Sequence, residues 1–367
     1  MKVKLTEICT PKQWKTIPTN ELLGEGYPVY GANGIIGYYN EYNHENSVVT
    51  ITCRGATCGT INITEPKSYI TGNAMCLDNL QPGILLEYLY YCLLHYDFRN
   101  VISGSAQPQI TRQGLEKVEI EISSIEEQEK RITTLNKINV VITARQQQLQ
   151  KLDDLVKARF VEMFGDMLLN DMAWQESILD TLADVVSGIT KGRKIRETEL
   201  IEVPYMAVSN VKDGYIDWTT VKTIMATKQE IEQYRLLPYD VLMTEGGDPD
   251  KLGRGSVITK PLKNSIHQNH IFRVRLQTER ILPVYFSEYL QHQKAKRYFL
   301  GCAKQTTGIA SINMKQLRAL PVLVPPLKLQ EQFATFVEQT DKSKIAVQKA
   351  LDEAQLLFDS LMQKYFG

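Results

Sequence analysis

Residues 123–164 have the sequence SSIEEQEKRITTLNKINVVITARQQQLQKLDDLVKARFVEMF, which contains no proline or glycine. Apolar residues recur every seven positions in this stretch, at Leu135, Ile142, Leu149, Val156 and Met163. A heptad repeat of this kind predicts a long helix that buries its apolar positions against a partner helix. At about 1.5 Å per residue the helix is roughly 60 Å long, which is more than an ordinary core helix needs.

The pattern occurs a second time at the end of the chain. Residues 110–165 align with residues 312–367 without a gap at a shift of 202 positions, and Gln128/Gln330 and Phe164/Phe366 are among the identical pairs. A repeat of this length indicates duplicated domains rather than a solenoid. We define the helix seam as the apolar positions expected between the two helices: Leu135, Ile142, Leu149, Val156, Leu351 and Phe358. A generic dimerising coiled coil is the alternative interpretation of the helices alone.

Composition narrows the class of protein. The 367 residues suggest two or more domains. Because 42 Lys and Arg balance 42 Asp and Glu, any nucleic-acid surface has to be a local patch. No apolar run reaches about 18 residues and the charged start lacks a signal-peptide core, so we expect a cytoplasmic protein without a membrane span. Cys53, Cys58 and Cys76 could be part of a zinc site, although reduced core residues are the favoured interpretation.

The segments outside the long helices alternate short apolar runs with turn residues, which is typical of small domains of mixed strands and helices. Short alternating runs predict strands, and a Leu- and Tyr-rich run predicts a helix at 85–95. The order repeats in the second half: Leu182 corresponds to Leu5 and Asn269 to Asn73, and the extra residues of the second half are expected mostly between Asp240 and Lys263. We therefore predict an α+β fold with two domains, each a twisted β-sheet plus helices, joined by two long antiparallel coiled-coil helices in a pseudo-twofold tandem repeat. The predicted boundaries are 1–122, 123–165, 166–324 and 325–367.

Specific motifs lie where each domain meets its helix. Residues 312–317 are INMKQL and lead into LVPPLKLQEQ at 323–332; the weaker twins are ITRQGL at 110–115 and IEISSIEEQE at 120–129. With Leu182–Val185, Gly188 and the Phe-Gly helix ends, these motifs resemble the specificity subunits of type I restriction-modification systems over essentially the whole chain.

The resemblance implies a function. Each domain would be a target-recognition domain for one half of a bipartite double-stranded DNA site. The helices would set the gap between the half-sites and dock two methyltransferase subunits, and restriction subunits would join the complex. S-adenosylmethionine and ATP would be bound by those partners, so no cofactor is expected on this chain.

Motifs for catalysis are missing from the sequence. Gly301-Cys302-Ala303-Lys304 does not have the spacing of a phosphate-binding loop, and Gly24-x-Gly26 lacks the third glycine of a dinucleotide fingerprint. His267-x-x-His270 is the closest approach to a metal-ligand spacing, and polar loop chemistry is its favoured interpretation. We expect neither a catalytic site nor a metal site.

Candidate DNA contacts are polar residues on glycine-containing loops, because base edges are recognised by Arg, Lys, Asn and Gln forks while phosphate contacts only position the duplex. In the first domain they are Tyr30, Asn33, Arg54, Asn73, Gln107 and Gln109. In the second domain they are Lys191, Arg193, Ser209, Asn210, Lys251, Arg254, Gln268, Asn269, Lys304, Gln305 and Thr307. Glu245 and Asp248 are placed near that surface and could accept from a cytosine amino group or orient Arg254.

Two alternatives stay open at this point. The chain could be a coiled-coil scaffold that binds proteins rather than nucleic acid, or the equivalent specificity subunit of a different restriction type. An adjacent adenine methyltransferase gene would favour the type I interpretation.

Overall fold

The computed structural model describes residues 1–104, 107–194, 199–212, 214–248, 252–306 and 308–367. The chain divides into two compact units. The first unit combines Met1–Gln147 with Gln348–Gly367, and the second is Gln148–Val347. Each unit therefore contains one domain and a part of each long helix.

The first domain is a small mixed domain that leads into a long helix. Its elements are β1 Lys2–Lys4, α1 Leu5–Ile8, β2 Thr10–Lys12, β3 Tyr27–Gly31, β4 Gly34–Tyr39, β5 Val49–Thr52, β6 Ile61–Ile63, β7 Tyr69–Ile70, β8 Ala74–Asp78, α2 Leu86–His95, α3 Arg112–Leu115, β9 Glu119–Glu121 and the long helix α4 Ile125–Phe164. The strands and the helix predicted from the short apolar runs are confirmed, because alternation and turn residues are local signals.

The second domain repeats this order with additions. Its elements are β10 Gln175–Ile178, β11 Ala183–Ser187, β12 Ile201–Met206, β13 Lys222–Ala226, α5 Lys228–Tyr234, β14 Val241–Thr244, β15 Gly246–Gly247, β16 Gly255–Val257, β17 Ile266–His267, β18 Ile271–Leu276, α6 Pro283–Tyr289, α7 Gln293–Cys302, β19 Lys304–Thr306, β20 Ile309–Ser311, α8 Met314–Arg318, β21 Pro321–Val324 and the long helix α9 Leu327–Phe366.

The sheets of the two domains have the same topology. In the first domain the orders are β1-β9, β2-β8-β5-β6 and β4-β3-β7, and in the second they are β10-β21, β11-β18-β14-β16 and β13-β12-β17. The β3–β7 and β12–β17 pairs are both parallel. The predicted α+β duplication is confirmed, and the second domain adds a three-stranded ribbon of β15, β20 and β19.

Hydrogen-bond register corrects three details of the predicted correspondence. Leu5 N donates to Val118 O and Leu179 N donates to Leu320 O, so Leu5 corresponds to Leu179 rather than to Leu182. Tyr30 pairs with Ile70 and Met206 pairs with His267, which makes His270, not Asn269, the counterpart of Asn73. Short loop motifs had suggested the wrong register because strand pairing, and not local similarity, decides which residues are equivalent.

The third correction concerns the extra residues of the second domain. Met206 corresponds to Tyr30, and Thr244 corresponds to Thr52 because each is the last residue of its central strand. Most of the added length lies between Met206 and Thr244, where β13 is followed by α5, and not between Asp240 and Lys263. In the first domain the described residues 40–48 between β4 and β5 contain no helix.

The long helices pack antiparallel inside the second unit. Lys344 Nζ lies 2.6 Å from Asp153 Oδ1, while Phe160 packs on Phe333 with ring centroids 5.3 Å apart, so rising numbers in α4 meet falling numbers in α9. In the first unit Arg131 Nη1 donates to Tyr365 O at 2.7 Å. Of the helix seam, Leu135, Ile142, Val156 and Phe358 are buried, and Leu149 and Leu351 are half-buried.

Two duplicated residues tie each helix to a domain. Gln128 and Gln330 are fully buried near the starts of α4 and α9. Phe366, at the end of α9, packs on Tyr88 of the first domain, and Phe164, at the end of α4, packs on Tyr285 of the second, with centroids 5.5 and 4.8 Å apart. Each unit is thus completed by the end of the other domain's helix. Among the described residues, no helix has both the length and the apolar character of a membrane span.

Candidate nucleic-acid interface

One backbone arrangement organises the candidate site of the first domain. Cys53 follows β5 and Asn73 precedes β8, and the Cys53 N–H donates to Asn73 O at 3.2 Å. The Ile110 N–H donates to Cys53 O at 3.0 Å and brings in the loop before α3. We call these three residues, and their equivalents in the second domain, the strand-end frame.

The second domain has the same strand-end frame with different residues. The Glu245 N–H donates to His270 O at 3.0 Å, and the Ile312 N–H donates to Glu245 O at 2.9 Å. Glu245 follows β14 as Cys53 follows β5, and His270 precedes β18 as Asn73 precedes β8. The duplication has therefore kept the hydrogen bonds of the frame while the side chains diverged.

In the first domain several of the predicted DNA contacts lie at the strand-end frame. Arg54 and Gln109 face one another in a β-bridge, and Asn73 belongs to the frame itself. Asn33 lies at the tip of the β3–β4 hairpin, which is tied to the end of β5 because Thr52 Oγ1 donates to Ala32 O. These four side chains and that of Gln107 are exposed.

In the second domain the frame collects a different set. Asn269 Nδ2 lies 3.2 Å from His270 Nε2, and His270 Nδ1 hydrogen-bonds to Glu245 Oε2. The ribbon strand β20 places Ser311 opposite both Gly246 and the exposed Lys304. The sequence pattern places His270 only in a possible pair of metal ligands with His267. The register of β18 is what assigns it to the frame.

Arg254 lies beside this set. The Thr244 N–H donates to Arg254 O at 3.1 Å, one residue before Glu245. Within the described residues Arg254 Nε is buried and has no hydrogen-bond partner. A guanidinium nitrogen in this state has donor capacity that the described residues do not use.

Several predicted contacts have internal roles in the structure. Tyr30 is buried, and its hydroxyl accepts from the Glu65 N–H, while burial raises its pKa. Asn210 is buried, accepts from the Ala207 N–H and donates to Asp217 O and Thr220 Oγ1. Gln268 Oε1 accepts from the Val208 N–H at 3.4 Å. These three side chains stabilise loops of their own domain.

Arg193 is likewise held inside the second domain. Its guanidinium forms two bonds to the Glu230 carboxylate and a third to Met225 O. The Glu230 hydrogen bond raises the pKa of Arg193, and the Arg193 hydrogen bond lowers the pKa of Glu230. The pair caps the start of α5, since Glu230 also accepts from the Thr227 N–H.

The remaining predicted contacts are either exposed or outside the described residues. Lys191 and Ser209 are exposed, and the loop of Lys191 is joined to the frame region because the Asn269 N–H donates to Ile189 O at 3.0 Å. Lys251 and Thr307 lie outside the described residues, as does the side chain of Gln305.

The cysteines are free thiols in the described structure, and Cys9, Cys53, Cys76 and Cys92 are buried. Burial raises the pKa of Cys9 and Cys92 to about 12, so these thiols are protonated core residues. His44, Cys76 and Asp78 each offer a ligand atom within 4.8 Å of the others. However, His44 is bonded to Asn43 and Asp78, and Asp78 also accepts from Trp14 Nε1, so an internal polar network accounts for the cluster.

Solved structures share this fold. The S subunit of a type I restriction-modification system from M. genitalium superposes with a TM-score of 0.63 at 16% identity, over 100% of this chain and 96% of that one. A second solved structure concerns complex assembly and conformational transition of the type I R-M system. It superposes with a TM-score of 0.54 at 16% identity, over 100% of this chain and 97% of that one. At such identities the likeness concerns the fold alone.

Similar sequences carry matching descriptions. The putative MjaX specificity subunit of Methanocaldococcus jannaschii is 26% identical over 187 residues, which are 50% of this chain and 44% of that protein. The EcoKI specificity subunit of Escherichia coli (strain K12) is 27% identical over 169 residues, which are 44% of this chain and 36% of that protein. The StySPI specificity subunit of Salmonella potsdam is 23% identical over 336 residues, which are 85% of this chain and 68% of that protein.

The chain spans less than half the length of the first two of these relatives. A family model described as the type I restriction modification DNA specificity domain matches it twice, at residues 1–153 and 173–355. Those two ranges contain the two strand-end frames and most of both long helices. The chain therefore belongs to the type I restriction modification DNA specificity domain family.

Proposed function

We propose that this chain is the DNA-recognition subunit of a type I restriction-modification complex and that each domain binds one half of a bipartite duplex site. The observation that carries the proposal is the strand-end frame, whose backbone bonds are the same in both domains. Arg54, Asn73 and Gln109 of the first domain correspond to Gly246, His270 and Ser311 of the second. A common frame with different polar side chains suits two surfaces that recognise different sequences.

The helices supply the second part of the proposal, which is the docking of methyltransferase subunits. In the first unit Val140 and Leu356 are exposed by 68% and 72%, and in the second unit Ile345 is exposed by 71%. Exposed apolar side chains mark interaction sites where they form a contiguous patch, and the proposal assigns these helix residues to such a surface. Two methyltransferase subunits would bind here, and restriction subunits would join through the assembled complex.

Catalysis belongs to the partners in this proposal. The sequence lacks the motifs for transfer of a methyl group and for ATP hydrolysis. S-adenosylmethionine and ATP would therefore be bound by the methyltransferase and restriction subunits. Purified chain incubated with DNA and S-adenosylmethionine should transfer no methyl groups, and turnover without a partner would overturn this part.

The recognition proposal is tested by sequencing methylated sites in a host that expresses the chain together with a type I methyltransferase subunit. We expect a two-part motif. Arg54→Ala should relax one half of the motif, at a cost of about 1–3 kcal/mol if the guanidinium is bidentate to guanine. Arg254→Ala should relax the other half. Arg99→Ala is the matched control, because this exposed arginine is paired with Asp97.

Three outcomes separate the alternatives. Loss confined to one half-site for each variant supports the proposal. Equal loss at both half-sites would show that the arginines contact phosphates or stabilise the fold. A wild-type complex that modifies no two-part site would favour the protein-binding scaffold.

Docking is tested separately by co-purification with the methyltransferase. Leu356→Glu places a charge on the exposed apolar surface of α9 and should abolish the complex without unfolding the chain. Gln147→Glu adds the same charge at an exposed polar position of α4 and should leave the complex intact. Equal complex formation by both variants would exclude this surface.

A further inference from the structure

Three polar side chains form a continuous hydrogen-bonded row at the strand-end frame of the second domain. Asn269 Nδ2 lies 3.2 Å from His270 Nε2, and His270 Nδ1 hydrogen-bonds to Glu245 Oε2. If Asn269 donates to Nε2, the neutral imidazole carries its proton on Nδ1 and donates it to the carboxylate. Every bond in the row then has one donor and one acceptor.

The row is anchored at both ends by backbone hydrogen bonds. Glu245 is held through its N–H by His270 O and through its carbonyl by the Ile312 N–H. Asn269 is held through its N–H by Ile189 O and through its carbonyl by Ser187 Oγ at 2.6 Å. A side chain that is fixed in this way is preorganised for recognition, since binding costs it little conformational freedom.

The row is also accessible. The side chains of His270 and Glu245 are 57% and 32% exposed. Because Glu245 Oε2 accepts from His270, Oε1 is the second acceptor that can face a ligand. Beside it, a Cβ added at Gly247 would meet no atom of the described residues within 4 Å. A surface of bare backbone next to an oriented carboxylate lets the edge of a base approach closely.

The chemistry of the carboxylate selects among bases. In the major groove guanine presents the acceptors N7 and O6 and thymine presents O4, and all of them repel an anion. Adenine places its N6 amino group beside the acceptor N7. Cytosine presents the N4 amino group as a donor and carries no major-groove acceptor of its own. A fixed carboxylate therefore favours cytosine by attraction and disfavours the other bases by repulsion.

We propose that Glu245, positioned by His270 and Asn269, recognises the N4 amino group of a cytosine in the half-site of the second domain. The inference rests on the proposed function and adds to it one base and the residues that select it. The first domain has Cys53 and Asn73 at these positions, so it carries no anion there and its half-site follows a different rule.

The experiment uses the full chain with its methyltransferase subunits. The wild-type two-part motif is first determined by sequencing methylated sites, and duplexes with single substitutions at each position of the motif are then compared in binding. Glu245→Gln should lower the preference for cytosine at one position of one half-site by roughly 10- to 100-fold. All positions of the other half-site should keep their preferences. Glu232→Gln is the matched control, because it removes an exposed carboxylate on α5 of the same domain.

A pair of His270 variants tests positioning separately from folding. His270→Gln can still donate to Glu245 and should keep most of the preference for cytosine, while His270→Leu cannot donate and should lose it at the same position. If both variants lose recognition of every position of the second half-site while the first half-site is still recognised, His270 has a folding role and the inference is overturned.

The two levels of the proposal fail differently. If wild-type complex recognises a two-part site and Glu245→Gln leaves every preference unchanged, the inference about Glu245 is wrong and the proposed function stands. If wild-type complex recognises no two-part site, the proposed function itself is wrong.

Discussion

Gln128 and Gln330 show what a single residue does in this fold. Gln128 accepts from the Leu85 N–H and donates to Gly83 O and Ser123 O, and Gln330 accepts from the Leu282 N–H and donates to Arg280 O and Pro325 O. Each amide thus satisfies three backbone groups where a short helix begins beside a long one. Since an unsatisfied buried polar group costs about 1–3 kcal/mol, this glutamine has a structural reason to be the same in both repeats.

Gly188 is required for a close backbone approach, and this requirement can be tested. A Cβ at this position would lie 1.9 Å from His267 O and 2.8 Å from Gln268 O, and backbone at both sites is held by strand pairing. We expect Gly188→Ala to lower the free energy of unfolding of the second domain by about 1–3 kcal/mol, because β17 has to move. Chemical denaturation measures the loss. Gly301→Ala is the control, since its added methyl group meets no atom within 4 Å in the part of the chain that the structure describes. Equal stability of the two variants would refute the steric argument.

His267 makes stability depend on pH. Burial lowers its pKa to about 4 from 6.5, although two backbone carbonyls face the ring. Between these values the unfolded chain binds a proton that the folded domain does not, so stability falls as the pH drops below 6.5 and is unaffected above it. On going from pH 7.5 to pH 5 the loss from this residue is about 2 kcal/mol.

Denaturant unfolding at the two pH values checks this prediction. Wild-type protein loses stability through other groups as well, so the comparison is with His267→Gln, which does not titrate. The variant should be less sensitive to pH by the stated amount. The same sensitivity in both proteins would mean that the pKa of His267 does not differ between the folded and unfolded chain, which contradicts the prediction.

Among the elements, the long helices contribute to the cores at their ends as well as along their lengths. Phe164 is fully buried and packs on Phe160, Tyr285 and Phe333, so the last turn of α4 belongs to the core of the second unit. Lys344 is a polar break in the heptad pattern of α9 and pairs with Asp153 of α4. The heptad pattern predicts that these helices pair, and the aromatic ends show which domain each end completes.

Phe164→Ala should therefore destabilise the second unit selectively. Removing a fully buried phenylalanine from a core costs about 3–5 kcal/mol. Hydrogen exchange should accelerate in β14, β18 and α6, while β5 and β8 of the first domain keep their protection. Val161→Ala on the same helix, where the side chain is 47% exposed, should change little. Faster exchange confined to the first domain would contradict the assignment of this helix end.

At the scale of the whole molecule, the two 40-residue helices each run without interruption. At about 1.5 Å per residue each is roughly 60 Å long. Helix α4 passes from the first unit to the second at Gln147, and α9 passes back at Val347. Their equal length agrees with the gapless alignment of the two repeats and suggests that length is constrained.

We predict that the helices set the gap between the half-sites. Insertion of four residues into each helix, near Gln147 and Lys349, lengthens it by about 6 Å. Because one step of duplex is about 3.4 Å, the gap should grow by one or two base pairs while both half-sites keep their sequences. Sequencing methylated sites of the variant measures the gap. An active variant with an unchanged gap would leave the helices as docking surfaces only, and lower affinity is expected because four residues exceed one turn slightly.

The long helices, the main strands and the duplication can all be predicted from the amino-acid sequence alone. Those features depend on periodicity and turn residues, which are local, and on a 202-residue repeat that needs no structure to be seen. The same local signals identified Arg54, Asn73 and Gln109 as polar loop residues. They did not separate these exposed side chains from Tyr30 and Asn210, whose burial depends on neighbours far away in the chain.

The contacts between residues that are distant in the chain cannot be predicted in this way and depend on the folded domains. Glu245 and His270 are neighbours because β14 and β18 are paired, and Arg54 lies opposite Gln109 because a distant loop returns to the end of β5. A shift of one residue in either pairing would send the side chains to the other face of the sheet. Register is set by the packing of the whole domain, and for that reason the counterpart of Asn73 could be identified as His270 only from the hydrogen bonds.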